Sequence, residues 1–158
     1  MKRLTLSDVG NLAEAFAAIG VIVSLIYLAL QIQQNTNALR ASSYQDVANG
    51  VTEFQMLVAQ NKGLARIYLK GAEDPGQLTP EERTQFGMYL GMYFARFDTA
   101  LELYHRGMID DKAMTPYTRF MLYTLKMPGV ADYWKQYQHF FSDDMRSYIR
   151  DKIGSDLE

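Results

Sequence analysis

From Ala15 to Asn35 the chain reads AFAAIGVIVSLIYLALQIQQN, twenty-one residues with no charge and no proline. A run of Ile, Val, Leu and Ala passes directly into the amides Gln31, Gln33, Gln34 and Asn35. The nineteen residues from Leu12 to Leu30 hold a single charge, Glu14, one turn from their start. The hydrocarbon core of a bilayer needs roughly 20 apolar residues at 1.5 Å of rise each, so the length fits one crossing. Glu14 falls where a carboxylate keeps its water, and Phe16 and Tyr27 stand near the two ends, where amphipathic rings settle. A cleaved signal peptide would also begin Met-Lys-Arg, yet no small-x-small cleavage site follows Leu30 and the helical pattern continues through Gln31. A core helix of a soluble protein is the other alternative, since alanine is abundant and Gly20 and Ser24 soften the run; length decides for the span. Residues 1–35 are therefore read as a membrane anchor, with the lipid bilayer as its first partner.

Small residues recur within the span at Ala13, Ala17, Gly20 and Ser24, in steps of four, three and four that share one helix face. The face continues through Gln31, Asn35 and Ala38 as small or polar. Such a stripe packs against copies of itself or lines something wet. An ordinary solvated or alanine-rich face is the bland alternative, and the two stay open here.

Composition narrows the remaining possibilities. Sixteen Lys and Arg against eighteen Asp and Glu leave a net charge of −2 with the signs interspersed, which is not the basic stripe that binds nucleic-acid phosphates. Nucleic acid is not expected as a partner. Cysteine is absent, which removes disulfides, thiolate zinc sites and thiol nucleophiles together. Eight Phe, eleven Tyr, one Trp and nine Met are many large apolar side chains for 158 residues, and they call for a core, an interface or a bilayer.

The rest of the chain is punctuated as helices. Tyr44, Val47, Val51, Phe54 and Val58 step by three and four, so the first helix is predicted from Ser7 or Asp8 to about Gln60: a span fused to an amphipathic stalk. Asn61-Lys62-Gly63 ends it, and a short helix over 64–70 follows. Thr79-Pro80-Glu81-Glu82 combines an N-cap, a proline at the first helical position and a glutamate at the third, predicting a third helix that reaches Arg106 before Gly107. Its apolar face is Phe86, Leu90, Tyr93, Phe97, Ala100 and Tyr104, with a ladder of Gly87, Gly91, Ala95 and Thr99 beside it, so this helix should be central. Arg96, Asp98 and Glu102 exclude it as a second span. Asp110 caps a fourth helix containing Pro116, Met127-Pro128-Gly129 opens a fifth, and Ser142-Asp143-Asp144 caps a last one closed by Gly154. No strand alternation or repeat is present. The fold class predicted is all-α: one N-terminal transmembrane helix continuing into a stalk, packed in a small bundle of about five further helices. The bundle domain is assigned 36–158, with the stalk 36–60 shared.

The strings IGVIVSLIYLALQIQQNTNALRASSYQ, LTPEERTQF, YHRGMID and PGVADYW…FS resemble a family of small, uncharacterised bacterial proteins. That family has one N-terminal span, an "LIYLA-Q-I-QNT-A-RA" continuation and a helical C-terminal domain. The resemblance covers nearly the whole chain and implies a bacterial inner-membrane location, but it brings no activity, cofactor or catalytic residue with it. Members often carry more arginine in the amide-rich continuation, where this chain has Gln33 and no charge before Arg40. Lys2 and Arg3 precede the span and Arg40 is the single base in about 15 residues after it, a weak bias that would send the domain outward. The resemblance argues for a cytoplasmic domain, which is the expectation taken.

Chemistry-bearing patterns are few. Glu102-Leu-Tyr-His105 has the Glu-x-x-His spacing of di-iron bundles, but the second histidine, His139, follows Gln136 where a carboxylate is required. The bland alternative is a helix-end histidine favoured by the C-terminal dipole. Arg96 and Asp98 lie in an apolar helix, and a structural ion pair of Arg96 with Glu53 or Glu102 is the preferred reading over an anion site. No hydrolase motif or Gly-rich strand-to-helix loop is present, so acyl transfer and nucleotide binding have no support. The expectation is a membrane-anchored scaffold or interaction protein without catalysis or cofactor, self-associated or within a membrane complex. The rivals are an oligomeric pore lined by Ser24, Gln31, Asn35 and Ala38, and a helical sensor or enzyme with a small-molecule pocket between the aromatic helices.

Overall fold

The computed structural model describes residues 6–153, without the side chains of residues 6–9, 12, 51, 54 and 153. Lys2, Arg3 and Gly154 lie outside the described residues, as do the side chains of Val51 and Phe54. The described residues are helical throughout their ordered elements and contain no strand. Six α-helices follow one another: α1 (Leu6–Gln60), α2 (Lys62–Glu73), α3 (Pro80–His105), α4 (Asp111–Thr124), α5 (Pro128–Tyr137) and α6 (Asp143–Ile153). Single 3₁₀ turns, Pro75–Gln77 and Gln138–Phe140, precede α3 and α6.

The chain divides into two compact units, Met1–Ala41 and Ser42–Glu158. In the first unit α1 is uninterrupted, as a stretch without proline and with only the glycines Gly10 and Gly20 allows. It is long and apolar enough to cross a membrane. Every side chain described from Ala13 to Asn35 is exposed, whereas a helix in the core of a soluble bundle would be covered.

In the second unit the helix boundaries follow local chemistry. Asn61 caps α2 by accepting from the Leu64 N–H at 3.0 Å. Thr79 and Glu82 form a reciprocal capping box, Oγ1 of Thr79 accepting from the Glu82 N–H and Oε2 of Glu82 accepting from the Thr79 N–H. Glu82 also accepts from Lys70 Nζ at 3.1 Å, which ties the end of α2 to the start of α3. Gly107 has φ +68°, the left-handed region that lets the chain leave α3, with its N–H bonded to Tyr104 and that of Met108 to Leu103. Asp110 caps α4 through the Ala113 N–H. Pro116 neither ends nor divides α4; it lacks only the N–H that would have bonded the Lys112 carbonyl.

Helix α3 is the centre of this unit, packed by α2, α4, α5 and α6. Phe86, Leu90, Tyr93, Phe97 and Ala100 are buried as their spacing predicts, and Tyr104 packs at the edge. Phe94 and Leu101 are buried as well, because α5 and α6 cover a second side of the helix. Phe94 stacks on Tyr133 of α5 with ring planes 2° apart. That tyrosine also occupies the upper part of the glycine ladder: a Cβ at Gly91 would stand 3.0 Å from Tyr133 Oη, and one at Gly87 3.8 Å from its ring. Gly87 and Gly91 thus seat a side chain of their own fold, while Ala95 and Thr99 are exposed.

Among the described side chains, those of the stalk part of α1 meet this core at its margin. Val47 and Val58 are partly buried against it, Tyr44 is exposed, and no hydrophobic residue of α1 described in the structure belongs to the buried core. Arg96 also meets the stalk. Its side chain lies over the buried Gly50, within 2.7 Å of where a Cβ would be, and its guanidinium meets Glu53 at 3.4 Å.

Candidate functional site

At 3.6 residues per turn, Ala13, Ala17, Gly20, Ser24, Gln31, Asn35 and Ala38 fall within an arc of about 60° on the continuous helix α1. All seven are exposed. A Cβ at Gly20 would meet nothing within 4 Å, so this part of the face is open to a close approach. The polar members are partly satisfied by α1 itself. Ser24 Oγ donates to the Gly20 carbonyl at 2.8 Å, and Gln31 Nε2 donates to Tyr27 Oη at 2.8 Å. The self-bonded hydroxyl of Ser24 leaves the Ala13–Ser24 part of the face small rather than strongly polar, while Gln31 and Asn35 keep its other half polar.

The candidate chemical residues of the second unit are drawn apart. Glu102 pairs with Arg106 one turn along α3, and His105 Nδ1 lies 3.4 Å from Asp144 of α6. The Glu-x-x-His pair therefore does not converge, and among the described residues no group of three His, Asp or Glu side chains has the geometry to hold a metal. Arg96 pairs with Glu53, one of the two partners its sequence position suggested. Asp98 has a different duty: it accepts from both the N–H and the hydroxyl of Ser142, whose Oγ in turn accepts from the Met145 N–H. The carboxylate of α3 thereby holds the N-cap of α6.

Two cavities open between the stalk and the bundle, and sequence reasoning named no residue for either. The inner one, about 240 Å³, lies among Val58 and Ala59 of α1, Tyr68 of α2, Tyr89 and Leu90 of α3 and Phe120 of α4. The outer one, about 380 Å³, lies among Tyr44, Val47 and Ala48 of α1 and Lys112, Pro116 and Tyr117 of α4. Gln55 and Phe120 line both. The buried phenols beside the inner cavity are turned toward protein partners. Thr124 gives its one proton to the Met121 carbonyl at 2.9 Å, so Tyr93 Oη is the donor in its 3.2 Å contact with Thr124. Tyr68 Oη donates to Met127 Sδ at 3.7 Å. Burial pushes the phenol pKa values of Tyr68, Tyr89 and Tyr93 upward, and that of Tyr117 to about 12, so these four phenols stay neutral at any physiological pH. The signal for the cavities in the sequence was faint: Gln55 interrupts no pattern, and Phe120 lies off the buried stripe of α4.

A third depression, an open groove of about 800 Å³, runs along α3 and α5. Met88, Met92 and Phe140 rim it with 70%, 52% and 75% of their surfaces exposed.

Comparison of the chain with family models, curated proteins and solved structures finds no match.

Proposed function

We propose that this chain is a single-span protein of the bacterial inner membrane that works as a scaffold or interaction module, with no catalysis and no cofactor. Its first helix anchors it, and the arc from Ala13 to Ala38 associates with further copies or with another membrane subunit. The observation that carries this reading is the uncharged, fully exposed stretch of α1 with its small residues gathered on one side. The exposed Met88, Met92 and Phe140 of the second unit support an interaction role, since contiguous apolar surface on a soluble bundle marks contact sites. The resemblance of the IGVIVSLIYLALQIQQNTNALRASSYQ and PGVADYW strings to small bacterial single-span proteins agrees with it, and with a cytoplasmic bundle.

The test is alkaline extraction of membranes expressing the full chain, followed by mass measurement and imaging in mild detergent. Retention in the membrane and a particle larger than one chain are expected. Release into the soluble fraction would overturn the anchor, and a monomer without partner subunits would overturn the scaffold. A reporter fused after Glu158 and active only in the periplasm would overturn the cytoplasmic placement.

The alternative of a pore draws on the same arc, which places Ser24, Gln31, Asn35 and Ala38 in line along α1. Imaging separates the two: a ring with a solvent-filled axis favours the pore.

A further inference from the structure

The two cavities beside the stalk differ in character along their length. Tyr44 to Ala59 extends about 22 Å at 1.5 Å per residue, and the cavities follow this stretch one after the other. The inner end offers hydrocarbon and ring faces, because Tyr68 and Tyr93 direct their hydroxyls to Met127 and Thr124. The outer end carries Lys112, the one charged residue among the described residues lining either cavity. Neighbouring carboxylates do not neutralise it from within. Asp110 accepts from the Ala113 N–H, Asp111 accepts from Tyr104 Oη, and neither lines a cavity. Phe120, part exposed, and Gln55 line both cavities, so the two adjoin at these side chains.

We propose that this paired cavity binds one long-chain carboxylate, a fatty acid, with its tail in the inner cavity and its head at the Lys112 ammonium. Two adjoining, mostly apolar cavities with the exposed Lys112 lining the outer one match a molecule that is hydrocarbon along its length and carries one negative charge at its tip. Burial of each methylene against the rings supplies the affinity, and the lysine selects the acid over a neutral chain of equal length. The site lies within the second unit, the stalk residues of α1 included, and stands whether or not the first unit self-associates.

The experiment uses the full chain in lipid nanodiscs, a palmitate carrying a diazirine near its tail end, and peptide mapping of the photoproducts. Labelling is expected at Val58, Ala59 or Phe120, competed by oleate and about two- to fivefold less effectively by oleyl alcohol at equal concentration. Lys112→Met, a change at an exposed position, should lower the labelling about two- to fivefold, the effect of losing one exposed ion pair. Ala59→Phe fills the inner cavity and should abolish labelling there, with circular dichroism unchanged. Labelling confined to α1 residues before Ala41 would overturn the proposal. So would equal competition by the alcohol, or a Lys112→Met protein that labels like the parent.

Discussion

Gly129 of α5 faces the carbonyl of Gly71 on α2 so closely that no β-carbon fits between them: an ideal Cβ at 129 would come within 3.0 Å of the Gly71 carbonyl carbon and 2.9 Å of Pro75 Cγ. The two helices meet backbone to backbone at this point. The pressure is shared, since a Cβ at Gly71 would collide with Phe86 at 2.8 Å.

Gly129→Ala should therefore destabilise the bundle. Alanine gains up to about 1 kcal/mol in helix propensity over glycine, but overpacking against main chain costs about 1–3 kcal/mol or more, so a net loss of about 2 kcal/mol is expected. Chemical denaturation followed by circular dichroism measures it. Gly20→Ala, where a Cβ meets nothing, is the control and should leave the bundle transition unchanged. Equal midpoints for the two variants would show that α2 and α5 have room to part.

Asp98→Ala removes both acceptors from Ser142 and should loosen α6 ahead of the rest. The expected loss is about 1–2 kcal/mol, the range of a helix cap strengthened by an ionised partner. Hydrogen exchange by mass spectrometry should show faster exchange in α6 and little change in α3. Asp98→Asn keeps an acceptor oxygen and should fall between. Uniform exchange changes across both helices would contradict a local role for the pair.

Glu82 gives the bundle a pH dependence with a definite sign. The Thr79 N–H first, and Lys70 second, hold its carboxyl below the ordinary value. A depressed folded-state pKa means that the stabilisation is fully present above the unfolded value, about 4.3, and is lost as pH falls through the folded one. The urea midpoint of the parent should thus drop on acidification through this window. Glu82→Gln should flatten that part of the profile while lowering the midpoint at neutral pH.

Gly20→Leu places a bulky side chain on the small face of α1. If two helices meet there, overpacking costs about 1–3 kcal/mol, enough to shift an oligomer equilibrium by roughly ten- to a hundredfold. Membrane retention should persist, as leucine favours hydrocarbon. Ile22→Leu lies off the arc and should leave the detergent particle unchanged. The same particle size for both variants would move self-association away from α1.

Helix caps were readable because each is a contract between residues three positions apart: Thr79 with Glu82, Asp110 with Ala113, Ser142 with Met145. The buried side of α3 was readable for the same reason, one face repeating every three or four residues. Long-range partners were not. Nothing near Gly91 announces that Tyr133 will lie across it, and nothing near Gly71 announces Gly129. Glu102 and His105 share a spacing used by metal ligands, yet Arg106 and Asp144 divert them. The cavities belong to this second kind, arising where the stalk and three other helices fail to fill the space between them.

The bond between Asp98 and Ser142 also imposes an order in time. At 11 residues, α6 is shorter than the 12–15 at which even favourable isolated helices become marginal in water. Its cap is completed by a carboxylate made 44 residues earlier. At the usual pace of synthesis, Asp98 waits roughly 2–9 s for the serine it will bind. Through that interval the aromatic flank of α3 is without α6, whose cap is complete only once the two meet.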